Sequence, residues 1–98
     1  MKVYIAGKIT GDPDYREKFE RAARLYRKTH TRDSVLLPSV LPEGMSAADY
    51  MRICFAMIDS ADRVLFLGDW QSSPGAQLEK LYCEYIGKPT YILPMEKK

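Results

Sequence analysis

Four short apolar runs, separated by stretches of helical periodicity, leave this chain few folds to adopt. Val3 to Ala6 ends at Gly7, Ser34 to Leu37 at Pro38, Arg63 to Leu67 at Gly68, and Pro89 to Leu93 at Pro94. Such runs read as buried strands. Between the first two, Asp12 is placed to cap a helix opening at Pro13, with Tyr15, Phe19, Ala22 and Tyr26 as its buried stripe. After a Pro- and Gly-containing loop over residues 38–45, Ser46 and Asp49 form a weak capping box. The helix they open carries Tyr50, Ile53, Cys54, Met57 and Ile58 to about Ser60. After the third strand, Ser73 as N-cap and Pro74 as first residue open another helix. Its apolar set is Leu78, Leu81, Tyr82, Tyr85 and Ile86, and Gly87 can close it in a left-handed conformation.

The order β-α-β-α-β-α-β predicts an α/β fold. It should be a small doubly wound, Rossmann-like or flavodoxin-like three-layer sandwich on a four-stranded, mostly parallel sheet. At 98 residues the chain is one domain over 1–98, and only Met95 to Lys98 reads as a frayed tail. Sheets of this kind bind ligands beyond the carboxyl ends of their strands. The loops there are Gly7–Gly11, Pro38–Met45 and Gly68–Ser73.

Bulk properties remove several function classes. A net charge of +2 is too small to argue for nucleic acid or a membrane surface. No apolar run approaches the ~20 residues of a membrane helix, and no signal peptide is visible. Cys54 and Cys83 have no paired spacing, and His30 has no Cys or His neighbour, so neither a disulfide nor a metal site is expected. A cytoplasmic protein without a cofactor is the expectation. Arg16, Lys18, Arg21, Arg24, Arg27 and Lys28 alternate with Asp14, Glu17 and Glu20 on the first helix, which reads as a solvated face.

Two loops carry the chemistry. Gly7-Lys8-Ile9-Thr10-Gly11 allows close backbone approach to a ligand, or is a plain strand-to-helix turn. It is neither a phosphate-binding P-loop nor a dinucleotide fingerprint, since Ile9 separates Lys8 from Thr10 and Gly-x-Gly is missing. The second is Trp70-Gln71-Ser72-Ser73-Pro74-Gly75-Ala76-Gln77-Leu78-Glu79. A helix N-terminus at a strand's end offers N–H groups to an anion, with hydroxyls from Ser72 and Ser73 beside it. Glu79 follows about one and a half turns in, with Gly75 leaving space one turn before it and Tyr82 and Cys83 shielding it one turn after. Partial burial raises such a carboxylate's pKa and makes it more nucleophilic when ionised. Trp70 can stack on a base or cover an interface or the sheet edge. Of Asp59, Asp62 and Asp69, the last lies at the ligand-facing end of the third strand.

Tyr4-Ile5-Ala6-Gly7-Lys8-Ile9-Thr10-Gly11, Ala61 to Leu67 and Ser73-Pro74-Gly75-Ala76-Gln77-Leu78-Glu79 together resemble the nucleoside 2-deoxyribosyltransferase-like superfamily, and most of all its small members. The resemblance covers nearly the whole chain. It implies that Glu79 is a nucleophile that attacks the anomeric carbon of a deoxynucleoside and expels the base. It implies a 5′-phosphate held by Ser73 with help from Ser72, and a sugar pocket lined by Tyr4, Gly7 and Gly11. Lys8, where many small relatives have proline, could add a phosphate contact. By spacing, Cys54 stands where relatives carry an aspartate that orients substrate or serves in acid–base work.

Two readings follow. One is an enzyme that cleaves or transfers the N-glycosidic bond of a deoxynucleoside or its 5′-monophosphate, with Glu79 as nucleophile and Asp69 as candidate acid or base. The other is a non-catalytic nucleotide-binding module that uses the same pocket. Self-association is expected in either case, because a domain this small displays Trp70, Tyr82 and Tyr85.

Overall fold

A computed structural model describes residues 1–93, so the expected end of the last strand at Pro94 and the tail from Met95 lie outside the described residues. Four strands, β1 (Lys2–Ala6), β2 (Ser34–Leu36), β3 (Arg63–Leu67) and β4 (Thr90–Leu93), form one sheet in the order β2-β1-β3-β4. Every pairing is parallel, with Tyr4 beside Leu36 on one side and beside Val64 on the other. The helices are α1 (Tyr15–Thr29), α2 (Ala47–Ser60) and α3 (Pro74–Ile86).

The layers follow from crossover hand. The chain leaves β1 in one direction to reach β2, then crosses back over β1 to β3 and continues to β4. One constant hand of crossover therefore sets α1 on one face and α2 with α3 on the other. Alternation along β1 separates the two cores. Val3 and Ile5 join Leu65, Leu67 and the α1 residues Phe19, Ala22, Ala23 and Tyr26. Tyr4 and Ala6 join Val64, Phe66, Cys54, Ile58 and Cys83 on the α2–α3 face. The strand order reverses between β1 and β3, so the ligand-binding crevice of this sheet type falls at their carboxyl ends.

Local chemistry adjusts the expected boundaries. α1 opens at Tyr15 rather than Pro13. Asp12 caps the turn that precedes α1, its carboxylate accepting the Asp14 N–H at 3.0 Å, and it also accepts Lys18 Nζ at 2.5 Å. Residues 13 and 14 form a turn that leads into the helix rather than its first residues. β2 stops at Leu36, and Pro38–Val40 is a single 3-10 turn. Ser46 caps α2 as expected by accepting the Asp49 N–H at 3.1 Å, but only Cys54 and Ile58 of the expected stripe are buried. Gly87 closes α3 at φ 75°.

The largest departure is the rotation of α3. Its buried side is Ala76, Glu79 and Cys83, while Leu78, Leu81, Tyr85 and Ile86 are exposed. The apolar set read from the sequence is a true helical stripe, but it does not face the sheet. Among the described residues, no helix is long and apolar enough to cross a membrane.

Candidate active site

Glu79 enters the space under α3 because the helix turns its small residues and its carboxylate toward the sheet. Only 4 % of Glu79 is exposed. The Tyr4 hydroxyl, from the middle of β1, donates to Glu79 Oε2 at 2.6 Å. Tyr4 itself is completely buried. Cys54, buried on α2, adjoins both groups. One oxygen-rich point thus joins β1, α2 and α3 inside an otherwise apolar layer.

Burial dominates the electrostatics of this point. Loss of water raises the Glu79 carboxyl from 4.5 to about 7, with hydrogen bonds from Tyr4 and Cys54 pulling it partly back. Burial, and then the nearby Glu79 charge, hold the Tyr4 hydroxyl well above its ordinary value. Burial and Tyr4, the latter opposing, leave the Cys54 thiol at about 11, with Glu79 adding to the rise. Near neutral pH, Glu79 is therefore divided between its protonated and ionised forms, while both neighbours keep their protons.

The N-terminus of α3 is narrower as an anion site than its sequence suggests. Ser73 Oγ accepts the Ala76 N–H at 3.2 Å, and the Ser73 carbonyl accepts the Gln77 N–H at 2.9 Å. Pro74 has no N–H. Among the described residues nothing accepts the Gly75 N–H, which leaves one backbone donor together with the Ser73 hydroxyl proton. Ser72 is exposed, and its hydroxyl donates to the Asp69 carbonyl at 2.9 Å. A Cβ on Gly75 would stand 3.4 Å from Met51 Cε, so Met51 of α2 faces the first turn of α3.

Asp69 has a different occupation. Its Oδ1 accepts the Lys8 N–H at 3.1 Å and its Oδ2 accepts Lys18 Nζ at 2.6 Å. Lys18 also donates to the Lys8 carbonyl at 2.8 Å and to Asp12. One lysine from α1 thereby ties the loop after β1 to the loop after β3. Both oxygens of Asp69 are engaged in this clasp, and none of its hydrogen bonds runs to Glu79.

The glycines of the first loop serve packing and turning. A Cβ on Gly7 would lie 2.9 Å from Leu67 Cδ1, so β3 occupies the space a side chain would need. Gly11 has φ 85°, where glycine carries no steric cost. Trp70 lies half-buried in the 3-10 turn after β3, edge-on to Phe66 at 5.7 Å, with Lys80 Nζ 5.6 Å from its ring centre. Asp59 accepts the Tyr82 hydroxyl at 2.6 Å and Asp62 accepts the Lys2 N–H at 2.7 Å, so both are used by the fold.

Of the residues nominated from sequence, Tyr4 and Glu79 are in direct contact, and Gly75 and Ser73 lie on the same helix leading to them. Lys8, Gly7 and Asp69 group instead around Lys18 and Leu67. Two participants were not among the nominated site residues. Cys54 was marked only by the resemblance, at a position where relatives carry an aspartate, and Lys18 looked like one more solvated lysine. Among the described residues, no group of three or more His, Cys, Asp or Glu side chains could hold a metal ion.

Comparison with known proteins places this arrangement in a family without assigning it an activity. No curated protein matches the chain. A family model described as Domain of unknown function (DUF4406) matches residues 1–92, which covers β1, α3 and all of the residues around Glu79. The chain belongs to the DUF4406 family.

Proposed function

We propose that this protein cleaves, or transfers across, the N-glycosidic bond of a deoxynucleoside or its 5′-monophosphate, with Glu79 as the nucleophile. The observation that carries the reading is the buried Glu79 carboxyl, bonded to Tyr4 at 2.6 Å below the N-terminus of α3. The sequence resemblance to nucleoside 2-deoxyribosyltransferase-like proteins supports the same residue in the same role.

In this reading an ionised Glu79 oxygen bonds to the anomeric carbon as the carbon–nitrogen bond breaks. The bonding pair leaves with the nucleobase, which takes a proton from solvent. Water, or a second base, then attacks the anomeric carbon and releases the carboxylate, and its proton passes to solvent. Tyr4 holds Glu79 Oε2 and so orients the carboxylate for attack. In this reading the Ser73 hydroxyl and the Gly75 N–H would receive a 5′-phosphate. Asp69 and Lys18 hold the β1–α1 loop in place rather than move a proton. Two free cysteines suit a reducing compartment such as the cytoplasm.

The test is free-base release from a panel of deoxynucleosides and their 5′-monophosphates, followed by chromatography. Release by the wild type and none by Glu79→Gln is the expected result. No release from any substrate, or equal release by both proteins, refutes it. One observation favours a second reading, a nucleotide-binding module without turnover: both groups that touch Glu79 are neutral donors, and Asp69 is engaged by Lys18. Calorimetric binding of a nucleoside monophosphate without base release, lost in Ser73→Asp, would select that reading.

A further inference from the structure

The most apolar side of α3 is uncovered. Leu78, Leu81 and Tyr85 are 46, 62 and 91 % exposed. They recur at i, i+3 and i+7, the spacing of a helix–helix seam. They stand on the side of α3 opposite Ala76, Glu79 and Cys83, and no charge interrupts them. Besides buried Glu79, the charged residues of α3 are Lys80 and Glu84, which share one flank and pair at 2.7 Å.

We propose that this face binds the same face of a second copy, with the two α3 helices antiparallel about a two-fold axis beside Leu81. The charge pattern selects both the occupant and the direction. Setting Leu78 against Tyr85 of the second copy places Leu81 beside its own counterpart. The same register brings Lys80 opposite Glu84 of the second copy, twice by symmetry. A parallel pairing would carry the Lys80–Glu84 flanks of the two copies to opposite outer sides of the pair, where they do not meet. The seam and its flank are thus complementary to themselves when one copy is inverted. This inference does not depend on the chemistry of Glu79, and either can fail without the other.

Sedimentation equilibrium of the full chain tests it. The expected mass is twice the 11.3 kDa of one chain at tens of micromolar protein. Leu81→Glu places two like charges beside the axis, and Tyr85→Glu removes the most exposed contact. Each should raise the dimer dissociation constant by about thirtyfold or more, with unchanged far-UV circular dichroism. Tyr85 is almost fully exposed in one copy, so its variant stays informative if Leu81→Glu fails to fold. Lys80→Glu should weaken the dimer, and adding Glu84→Lys should restore it. A wild-type mass of one chain up to about 100 micromolar overturns the proposal, as does a dimer that both glutamate variants leave intact.

Discussion

Replacing Glu79 with glutamine will stabilise the protein above neutral pH and alter it far less in mild acid. The carboxyl is buried, and its pKa rises from 4.5 in the free group to about 7 in the fold. Between these values the folded state keeps a proton that the unfolded state has released. Stability therefore falls as pH rises through the window, and it levels off above about 7. At about 1.4 kcal/mol per pH unit, the full window corresponds to about 3 kcal/mol. Glutamine has nearly the same shape, carries no charge and still offers an oxygen to the Tyr4 hydroxyl. Urea unfolding of both proteins from about pH 5 to about pH 8 measures the effect. The variant's advantage should grow from about 1 kcal/mol at the acid end to about 3 kcal/mol at the alkaline end. Asp12, Asp33 and Asp62 are lowered, chiefly by hydrogen bonds to Lys18, Tyr26 and the Lys2 N–H respectively, and they act in the opposite direction. They are present in both proteins and cancel in the difference. A constant offset from amide packing leaves the slope untouched. Parallel curves would refute the reasoning, because they would mean that the carboxyl is not shielded from water.

Three other substitutions probe the surroundings of the site. Tyr4→Phe removes a donor that pulls the Glu79 pKa down, so the alkaline end of the stability window should move above about 7, at a cost of about 1–2 kcal/mol; the same urea series reads both effects. Gly7→Ala pushes a Cβ to 2.9 Å from Leu67 Cδ1 in a filled core and should cost about 1–3 kcal/mol, measured by calorimetry. Lys18→Met leaves Asp12 and Asp69 facing each other without their shared cation; amide exchange across Gly7 to Asp12 should accelerate while the central strands keep their protection.

The strands and their order of appearance were legible because each is a short apolar run ended by glycine or proline, a local signal. Strand pairing was legible only as a class. That β3 lies beside β1 rather than beside β2 goes with α2 covering the face opposite α1, which no single residue encodes. The Tyr4–Glu79 pair joins positions 75 residues apart, yet both ends carried local marks. Tyr4 interrupts a strand of aliphatic residues, and Glu79 follows a capped, glycine-containing first turn. Cys54 was marked only by the resemblance, at an aspartate position, since a small buried thiol among apolar residues otherwise looks like ordinary core. Lys18 was hidden for the opposite reason. Its role depends on two loops meeting above the sheet, and a lysine among other charges of α1 gives no hint of that.

The misread face of α3 has a physical cause that links the site to the surface. Helical periodicity reports that apolar residues share a side, but not what that side meets. In α3 two sets compete for the sheet: Ala76, Glu79 and Cys83 on one side, and Leu78, Leu81 and Tyr85 on the other. Hydrophobic burial alone would turn the second set inward and swing Glu79 into water. The small first set lets α3 lie against β1 and β3, where Tyr4 is available to the carboxyl. Turning the helix the other way would bring bulky leucines against the buried Tyr4 and Phe66, and would strand the Tyr4 hydroxyl without an acceptor, a penalty of about 1–3 kcal/mol. One copy of the chain cannot bury both sides of this helix. A carboxyl held under α3 therefore entails an apolar face above it, and the proposed pairing of two copies would remove that face from water without moving Glu79.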